Sequence, residues 1–349
     1  MQKKLRVSAL IVLILFALLV VPIMRYRKEA KLTSLPSRFI KGVVASPVDF
    51  ENIYADREAI CTAANEVALH FVILSPMGPV DESFADSASW CKNSLIIKSN
   101  TKVADYDLIN LHSSLKTLPL LSRLIAASRY LFNSSYALLS AMPHPRDLLS
   151  KWDLDCRTER KTGVFNLGNK GGLSLPGIAG SAPPSFRSMF EALTVYVRVD
   201  RELVKDPGQS MQMVIGALQA GHFFNVIEAI AAANGFDARF YPAQSTEVVQ
   251  MGDSDSRFRG ELQIDIPFPF HTEVTRLRNG KPETVETSRL RKRIIWKIEQ
   301  PGVYRVEVRV SDNHFSALPW IVTNPFYLGT PSHLAISPSA LATGPSGSE

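Results

Sequence analysis

Cysteine is scarce in this sequence, and its arrangement limits the kinds of site that the chain can build. The 349 residues include 3 cysteines, Cys61, Cys91 and Cys156, and no two of them form a CxxC pair. Structural zinc sites usually draw on such pairs, so a zinc site built from cysteine is not expected. An exported chain could form one disulfide, but the sequence does not say which two cysteines it would join.

Several motifs that would mark a hydrolase are also missing. No two of the 7 histidines lie within four residues of each other, which excludes the short zinc-binding motifs. There is no G-x-S-x-G nucleophile elbow. Gly163–Lys170 superficially resembles a phosphate-binding loop, but Asn169 stands where that loop requires its lysine. Neither a serine hydrolase nor a nucleotide-binding loop is expected.

Basic charge is in modest excess and is poorly concentrated. The net charge is +6, with much of the excess at the N-terminus and in the run Arg289–Arg293. Nucleic-acid-binding proteins usually gather basic residues on one face beside aromatic side chains. No such pattern is present, so a nucleic-acid partner is not expected.

The N-terminus carries the one long apolar stretch, Ser8–Met24, between Lys3, Lys4 and Arg6 on one side and Arg25, Arg27 and Lys28 on the other. A helix of this length spans about 26 Å, near the lower limit for crossing a bilayer. No small-x-small cleavage signal follows it. We predict an uncleaved signal anchor over residues 1–25, with a cleaved signal peptide as the alternative, and a linker over 26–37.

The anchor also predicts a location. Basic residues flank both sides, so the positive-inside rule is nearly balanced, but a short anchor at the extreme N-terminus usually keeps that terminus in the cytosol. We therefore expect a single-pass protein of the cytoplasmic membrane. Its soluble part would lie on the periplasmic or extracellular side.

Short apolar runs alternate with helical patterns through the first half of the chain, which favours parallel strands joined by crossover helices. A helix is predicted over 57–69, two helical pieces over 115–151, and helices over 186–195 and 209–220. The predicted strands are Phe39–Val44, Phe71–Leu74, Ser94–Ile97, one that includes Leu108 and Ile109, and Gly163–Leu167.

From about residue 258 the pattern changes to polar–apolar alternation. Glu261–Ile266, Lys292–Glu299 and Val303–Val310 alternate, and Asn279-Gly280 is a strong hairpin signal. An antiparallel β module is predicted over 251–330, after an α/β domain over 38–250. Trp320 and Tyr304 are assigned to its core. Residues 331–349 are rich in Pro, Ser, Ala and Gly, and are predicted to be disordered.

Eight segments of the chain carry a resemblance to a known family: Trp152-Asp153, Thr162–Phe165, Pro184–Arg187, Ala217–His222, Met251–Asp253, Leu277–Gly280, Pro301–Val308 and Pro319–Leu328. Taken in order, they resemble one bacterial branch of the polymerase-and-histidinol-phosphatase (PHP) superfamily over about residues 38–328. The resemblance implies a shortened, distorted β/α barrel followed by a small antiparallel β-sandwich, with two or three metal ions at the barrel strand ends.

The family's metal ligands are not found at the positions that match its motifs. The resemblance implies His-x-His, Thr-Asp-His, Gly-x-Glu and Asp-x-His signatures after successive strands. Without imidazoles and carboxylates a metal cluster has no ligands, and a lysine near the site would repel cations. The matching positions in this chain hold Ala45-Ser46-Pro47, Ser75-Pro76-Met77, Ile97-Lys98-Ser99 and Gly168-Asn169-Lys170.

A few polar residues remain as candidates for a pocket rim: Asp56, His112, His144, Asn169 and Lys170. A rebuilt metal site could use Asp56, His112 and His144, although ordinary loop roles explain all five residues more simply. Asp153, Asp155 and Glu159 stand among basic residues at near-helical spacing, which is typical of a solvated helix face.

The sequence favours a membrane-anchored, non-catalytic envelope protein that binds a ligand or a protein partner, with no catalytic residue and no cofactor. The alternative is a metal-dependent phosphoesterase that uses Zn, Mn or Fe in a rebuilt site. That alternative rests on fold resemblance, which does not establish function. An assembly role for the β module is a third hypothesis.

Overall fold

The computed structural model describes residues 21, 23–24, 26, 38–46, 56–75, 86–168, 184–267, 271–288, 293–311 and 313–329. Most of the predicted anchor and linker, the whole predicted tail, and Asn169 and Lys170 lie outside these residues. Among the residues that are described, no helix combines the length and the apolar character needed to span a bilayer.

The described part of the chain contains seven helices and 17 strands. The helices are α1 (Arg57–Glu66), α2 (Leu111–Lys116), α3 (Leu120–Phe132), α4 (Ser134–Ala141), α5 (Arg146–Asp155), α6 (Phe186–Ala192) and α7 (Pro207–Gln219). The strands are β1 (Phe39–Ala45), β2 (Phe71–Leu74), β3 (Ser87–Cys91), β4 (Ser94–Lys98), β5 (Tyr106–Asn110), β6 (Gly163–Asn166), β7 (Thr194–Arg198), β8 (Phe223–Val226), β9 (Asp237–Pro242), β10 (Ser254–Asp255), β11 (Gly260–Asp265), β12 (Thr272–Arg278), β13 (Lys281–Ser288), β14 (Arg293–Ile298), β15 (Gly302–Val310), β16 (Ile321–Thr323) and β17 (Phe326–Leu328).

Five strands run parallel, in the order β5-β6-β1-β2-β4. β2 is buried along its whole length, which suits an apolar run in a sheet covered on both faces. Val43, Val72 and Ile96 enter a core on one face, whereas Val44, Ile73 and Leu95 enter a core on the other. Side chains of α7 fill the second core, so helices or loops cover both sides of the parallel strands.

Antiparallel strands dominate the second half of the chain. β12 and β13 form a hairpin through Asn279 and Gly280, both with positive φ, as the sequence predicts. β15 pairs with β12, β16 and β17, while β9, β11 and β14 form a separate three-stranded sheet. β11 and β14 alternate buried and exposed residues, as expected for strands with one covered face.

The sheets cross the predicted division at residue 250, because β16 pairs with β8 and β11 pairs with β9. The mixed α and β class is confirmed, and the hydrogen-bonded strands of the described residues form open sheets without a closed ring. The two-domain division stays a prediction.

The helical region after β5 differs from the prediction of two pieces, since α2 to α5 are four separate helices. Pro119 precedes α3, and Pro145 precedes α5. The Asn133 side chain caps α4 by accepting a hydrogen bond from Tyr136 N at 3.0 Å. Proline and capping residues of this kind begin new helices and interrupt the continuous pattern.

Candidate functional site

The carboxyl ends of the parallel strands lie at a common edge, where α/β proteins usually bind ligands. Ser46 follows β1, Ser75 follows β2, and Asn110 and Asn166 end β5 and β6. Ser46, Ser75 and Asn166 are buried. Among the described residues, this edge therefore presents short polar side chains, whereas the family resemblance implies imidazoles and carboxylates.

Asn166 is the centre of a hydrogen-bonded network at this edge. Its Nδ2 donates to Ser46 Oγ at 2.7 Å and to Asp107 Oδ1 at 3.0 Å. Its Oδ1 accepts from Gly168 N at 2.8 Å. The amide is thereby fixed by three different elements of the chain, and its hydrogen-bonding groups face protein partners.

A second residue, Asn110, extends the network toward α2. Its Nδ2 lies 3.4 Å from Asp107 Oδ2, and its Oδ1 accepts from Ser113 N at 2.9 Å. A Cβ at Gly168, whose φ is +66°, would come within 2.5 Å of Asn110 Oδ1. The backbone therefore closes tightly over this side of the cluster, where a larger residue at position 168 would clash.

A cavity of about 190 Å³ opens beside the network. Ser46, Ser75, Asp107 and Asn166 line it, together with Lys102 and Asp105 at its rim. Lys102 Nζ donates to Asp105 O at 2.9 Å, and Asp105 Oδ2 accepts from Thr162 N at 2.9 Å. The cavity combines a cation, two carboxylates and several neutral polar groups, a mixture that suits a small polar ligand.

The donor set of this cavity does not fit the metal cluster of the PHP family. Hydroxyl and amide oxygens are weak ligands for zinc, which takes imidazole, thiolate and carboxylate groups. Asp107 is the carboxylate of the network, and both of its oxygens face asparagine amides. Among the described residues, no three His, Cys, Asp or Glu side chains gather where they could hold a metal ion.

The three candidate rim residues that the structure describes do not form one site. Asp56 directly precedes α1, His112 lies in the first turn of α2, and His144 precedes α5. None of them lines the strand-end cavity. Among the described residues, Asp56, His112 and His144 do not gather into a group that could hold a metal ion. Asn169 and Lys170 lie outside the described residues.

His144 instead lines a separate cavity of about 420 Å³ between α5 and the β12–β13–β15 strands. Both of its ring nitrogens are buried, and neither has a hydrogen-bond partner among the residues that the structure describes. Burial lowers the pKa of His144 below its ordinary value, and Arg309 and Arg146 add to this effect while Glu307 opposes it. The ring therefore favours its neutral form in the folded protein.

The same cavity contains a buried ion-pair network. Arg305 Nε and Nη2 donate to Asp153 Oδ1 and Oδ2 at 2.6 Å and 2.8 Å. Arg305 Nη1 lies 3.3 Å from Glu307 Oε2, and Arg309 Nη2 lies 2.7 Å from Glu307 Oε1. Burial by itself would raise the pKa of Glu307, but the charges of Arg305 and Arg309 outweigh it and hold that pKa below its ordinary value.

The prediction of a solvated helix face is wrong for Asp153. It is buried because β15 places Arg305 against α5, a contact between residues far apart in the sequence. Tyr106 donates to Asp155 on the same helix, and this hydrogen bond raises the pKa of Tyr106 to about 12. Asp153 and Asp155 of α5 therefore contact residues of other elements, β15 and β5.

Sequence reasoning did not select the residues that line the strand-end cavity. Neither Asp107 nor Asn110 was chosen as a candidate site residue, although both flank Leu108 and Ile109 of a predicted strand. A usable signal was present, because Ser46, Ser75 and Asn166 each end or directly follow an apolar strand. Lys102 and Asp105 lie in a loop and carry no such signal.

In comparisons with known proteins, no family model, curated protein or solved structure matches this chain.

Proposed function

We propose that this chain is a membrane-anchored, non-catalytic envelope protein that binds a ligand or partner through a PHP-like scaffold. In this proposal the parallel strands are the remnant of a shortened β/α barrel, and the antiparallel strands are its appended sandwich. The apolar N-terminus holds the soluble part at the outer side of the cytoplasmic membrane. No cofactor is required.

The observation that carries the proposal is the Asn166–Ser46–Asp107 network at the strand ends. A phosphoesterase of this type needs charged or imidazole ligands converging at that edge to bind cations and activate water. Amide and hydroxyl groups that satisfy one another stabilise the scaffold instead. The adjoining cavity still offers Lys102, Asp105 and Asp107 to a small polar ligand.

Metal analysis tests the non-catalytic part of the proposal. We expect the full chain, purified in detergent, to contain far less than one zinc, iron or manganese per molecule and to leave generic phosphoesters intact. Asp107→Asn, which would weaken any metal site in the network, should leave the metal content unchanged. Stoichiometric metal together with chelator-sensitive phosphoester turnover would contradict the proposal and favour a rebuilt hydrolase site.

Ligand screening tests the binding part. We expect a small polar compound, from a set of carboxylates, phosphates and amides, to raise the melting temperature of the full chain. Lys102→Ala should abolish that increase without unfolding the protein, since Lys102 is exposed at the cavity rim. A compound that stabilises both proteins equally would bind elsewhere and would argue against this cavity.

A further inference from the structure

Helix α3 turns its large apolar side chains away from the protein. Leu121 is 69% exposed, Leu124 is 43% exposed and Leu131 is 83% exposed, and Leu120 and Ile125 are also exposed. At 3.6 residues per turn, these five positions fall within an arc of about 140°. We call this surface the α3 apolar face. A soluble helix usually buries such a face in the core.

Polar contacts on the opposite side of α3 fix this orientation. Tyr130 OH lies 2.6 Å from Ser188 Oγ, and Arg123 Nε donates to Leu118 O at 2.9 Å. The guanidinium of Arg129 lies 5.7 Å from the centre of the Tyr136 ring. Rotating the helix to bury its leucines would break the contact between Tyr130 and Ser188 of α6, so this contact helps to keep the apolar face exposed.

The carboxyl end of α3 meets the end of the apolar N-terminal stretch. Asn133 Nδ2 donates to Ile23 O at 3.1 Å and to Tyr26 O at 2.8 Å. Ile23 is buried, and the Tyr26 ring lies 5.4 Å from that of Phe315. Tyr26 OH also donates to Ala229 O at 3.0 Å. The point where the predicted anchor ends is therefore fixed against the folded protein beside α3.

The charge of this region suits the phospholipid surface into which the anchor would insert. No acidic residue stands between Asp107 and Asp147, whereas Lys116, Arg123 and Arg129 lie between them. Anionic headgroups would thus meet no carboxylate on α3. A helix of 13 residues is about 20 Å long, so no part of α3 is further than about 20 Å from its Asn133 end, where the predicted anchor ends.

We infer that α3 lies in the surface of the phospholipid bilayer, with Leu120, Leu121, Leu124, Ile125 and Leu131 inserted among the lipids. This inference rests on the proposed anchoring. An apolar helix face at a membrane surface enters the headgroup and acyl boundary by about 5–10 Å. Together with the anchor, α3 would hold the soluble part in one fixed orientation on the membrane.

Lipid quenching of a site-specific fluorophore tests this inference. Leu121→Cys and Leu124→Cys each receive an environment-sensitive label in the full chain, which is then reconstituted in vesicles of phosphatidylcholine and phosphatidylglycerol. Ile295→Cys is the matched control, since Ile295 is 51% exposed and lies on β14, away from α3. We expect brominated lipids to quench the labels at 121 and 124 several-fold more than the label at 295.

The possible results separate this inference from the anchoring itself. If the chain floats with the vesicles but the labels at 121 and 124 are quenched no more than the label at 295, the anchor holds and the inference is wrong. If those labels are shielded from water but insensitive to bromine, protein covers the α3 apolar face, and the inference is again overturned. A chain that does not float with vesicles contradicts both the anchoring and the inference.

Discussion

At the scale of single residues, Asp153 and Arg305 form a deeply buried ion pair with two parallel hydrogen bonds. The guanidinium also lies 5.7 Å from the centre of the Trp152 ring. Such a pair is costly to desolvate, but removing one partner leaves an uncompensated buried charge. The contribution of the pair to the free energy of unfolding is therefore best measured by removing one of the two partners.

We expect Asp153→Ala to lower the free energy of unfolding by about 3–5 kcal/mol, the usual cost of leaving a buried partner unpaired. The matched control is Asp147→Ala, an exposed acid on the same helix, which should cost less than about 1 kcal/mol. Urea denaturation of the three proteins measures both values. Equal losses in the two variants would show that Arg305 finds another partner.

His144 gives the folded protein a pH dependence of known sign. Because its folded pKa is lowered, its unfolded form binds the proton more tightly. Its contribution to stability is therefore fully present above its unfolded pKa of about 6.5, and is lost as the pH falls through that value toward the lower folded pKa. Acid should destabilise the protein partly through this residue.

We expect His144→Gln to lose less stability than the wild type between about pH 7.5 and pH 5.5, since it removes the group that takes up the proton. Urea midpoints at the two pH values measure the difference, and His271→Gln, a half-exposed histidine outside this cavity, is the control. If the His144 variant loses as much stability as the wild type, the ring is not held neutral in the fold.

The roles of single residues were predictable where the residue type and the local sequence pattern decide them. Trp320 and Tyr304 were assigned to the core and are fully buried, as large aromatic side chains in alternating strands usually are. Asp153 was assigned to solvent and is buried. The difference is that its partner Arg305 lies 152 residues away, and no local pattern reports such a contact.

At the scale of elements, the strands with strong local signals were predicted correctly. β1, β2 and β4 are short apolar runs, and the β12–β13 hairpin has its Asn279-Gly280 turn. β7 and β8 were missed. Residues of β8 pair with β16, about 100 positions later, and tertiary packing of this kind decides strand formation as much as propensity does.

The disulfide joins two elements, and the sequence did not show which two cysteines form it. Cys61 of α1 and Cys91 of β3 are bonded, with their Cα atoms 5.9 Å apart and a sequence separation of 30. Closing a loop of this size stabilises a fold by about 3–4 kcal/mol in the chain-entropy model. Cys156 is buried and free, and burial raises its pKa to about 12.

Thiol counting tests this arrangement. We expect the native chain to react with no thiol reagent at about pH 8, because the disulfide has no thiol and burial keeps Cys156 protonated. Unfolding without reductant should expose one thiol, and unfolding with reductant should expose three. Cys156→Ala should reduce these counts to none and two. Two or more thiols in the unreduced, unfolded chain would rule out the disulfide.

At the scale of the whole molecule, one hydrogen-bonded sheet connects the parallel strands to the antiparallel module through β7, β8 and β16. The mixed α and β class was predictable from alternating patterns, but this connection was not. It depends on pairing between strands from opposite halves of the chain. The strand-end cavity and the α3 apolar face consequently belong to one packed unit, whose position on a membrane would fix both.

The disulfide also gives a test of the proposed location outside the cytosol. Disulfides persist outside the cytosol, whereas cysteines in the cytosol are kept reduced. If residues 1–25 anchor the chain with its soluble part outside, the full chain should form the Cys61–Cys91 bond in a bacterial host. A chain lacking residues 1–25 should stay in the cytosol with both cysteines reduced.

Alkylation of cell lysates under denaturing conditions, read as a gel shift, distinguishes the two states. We expect one modified cysteine in the full chain and three in the truncated one, with Cys91→Ser as the control that has two free thiols in either location. Three modified cysteines in the full chain would place the soluble part in the cytosol. The anchor would then have the opposite orientation, and any ligand of the strand-end cavity would have to be a cytosolic one.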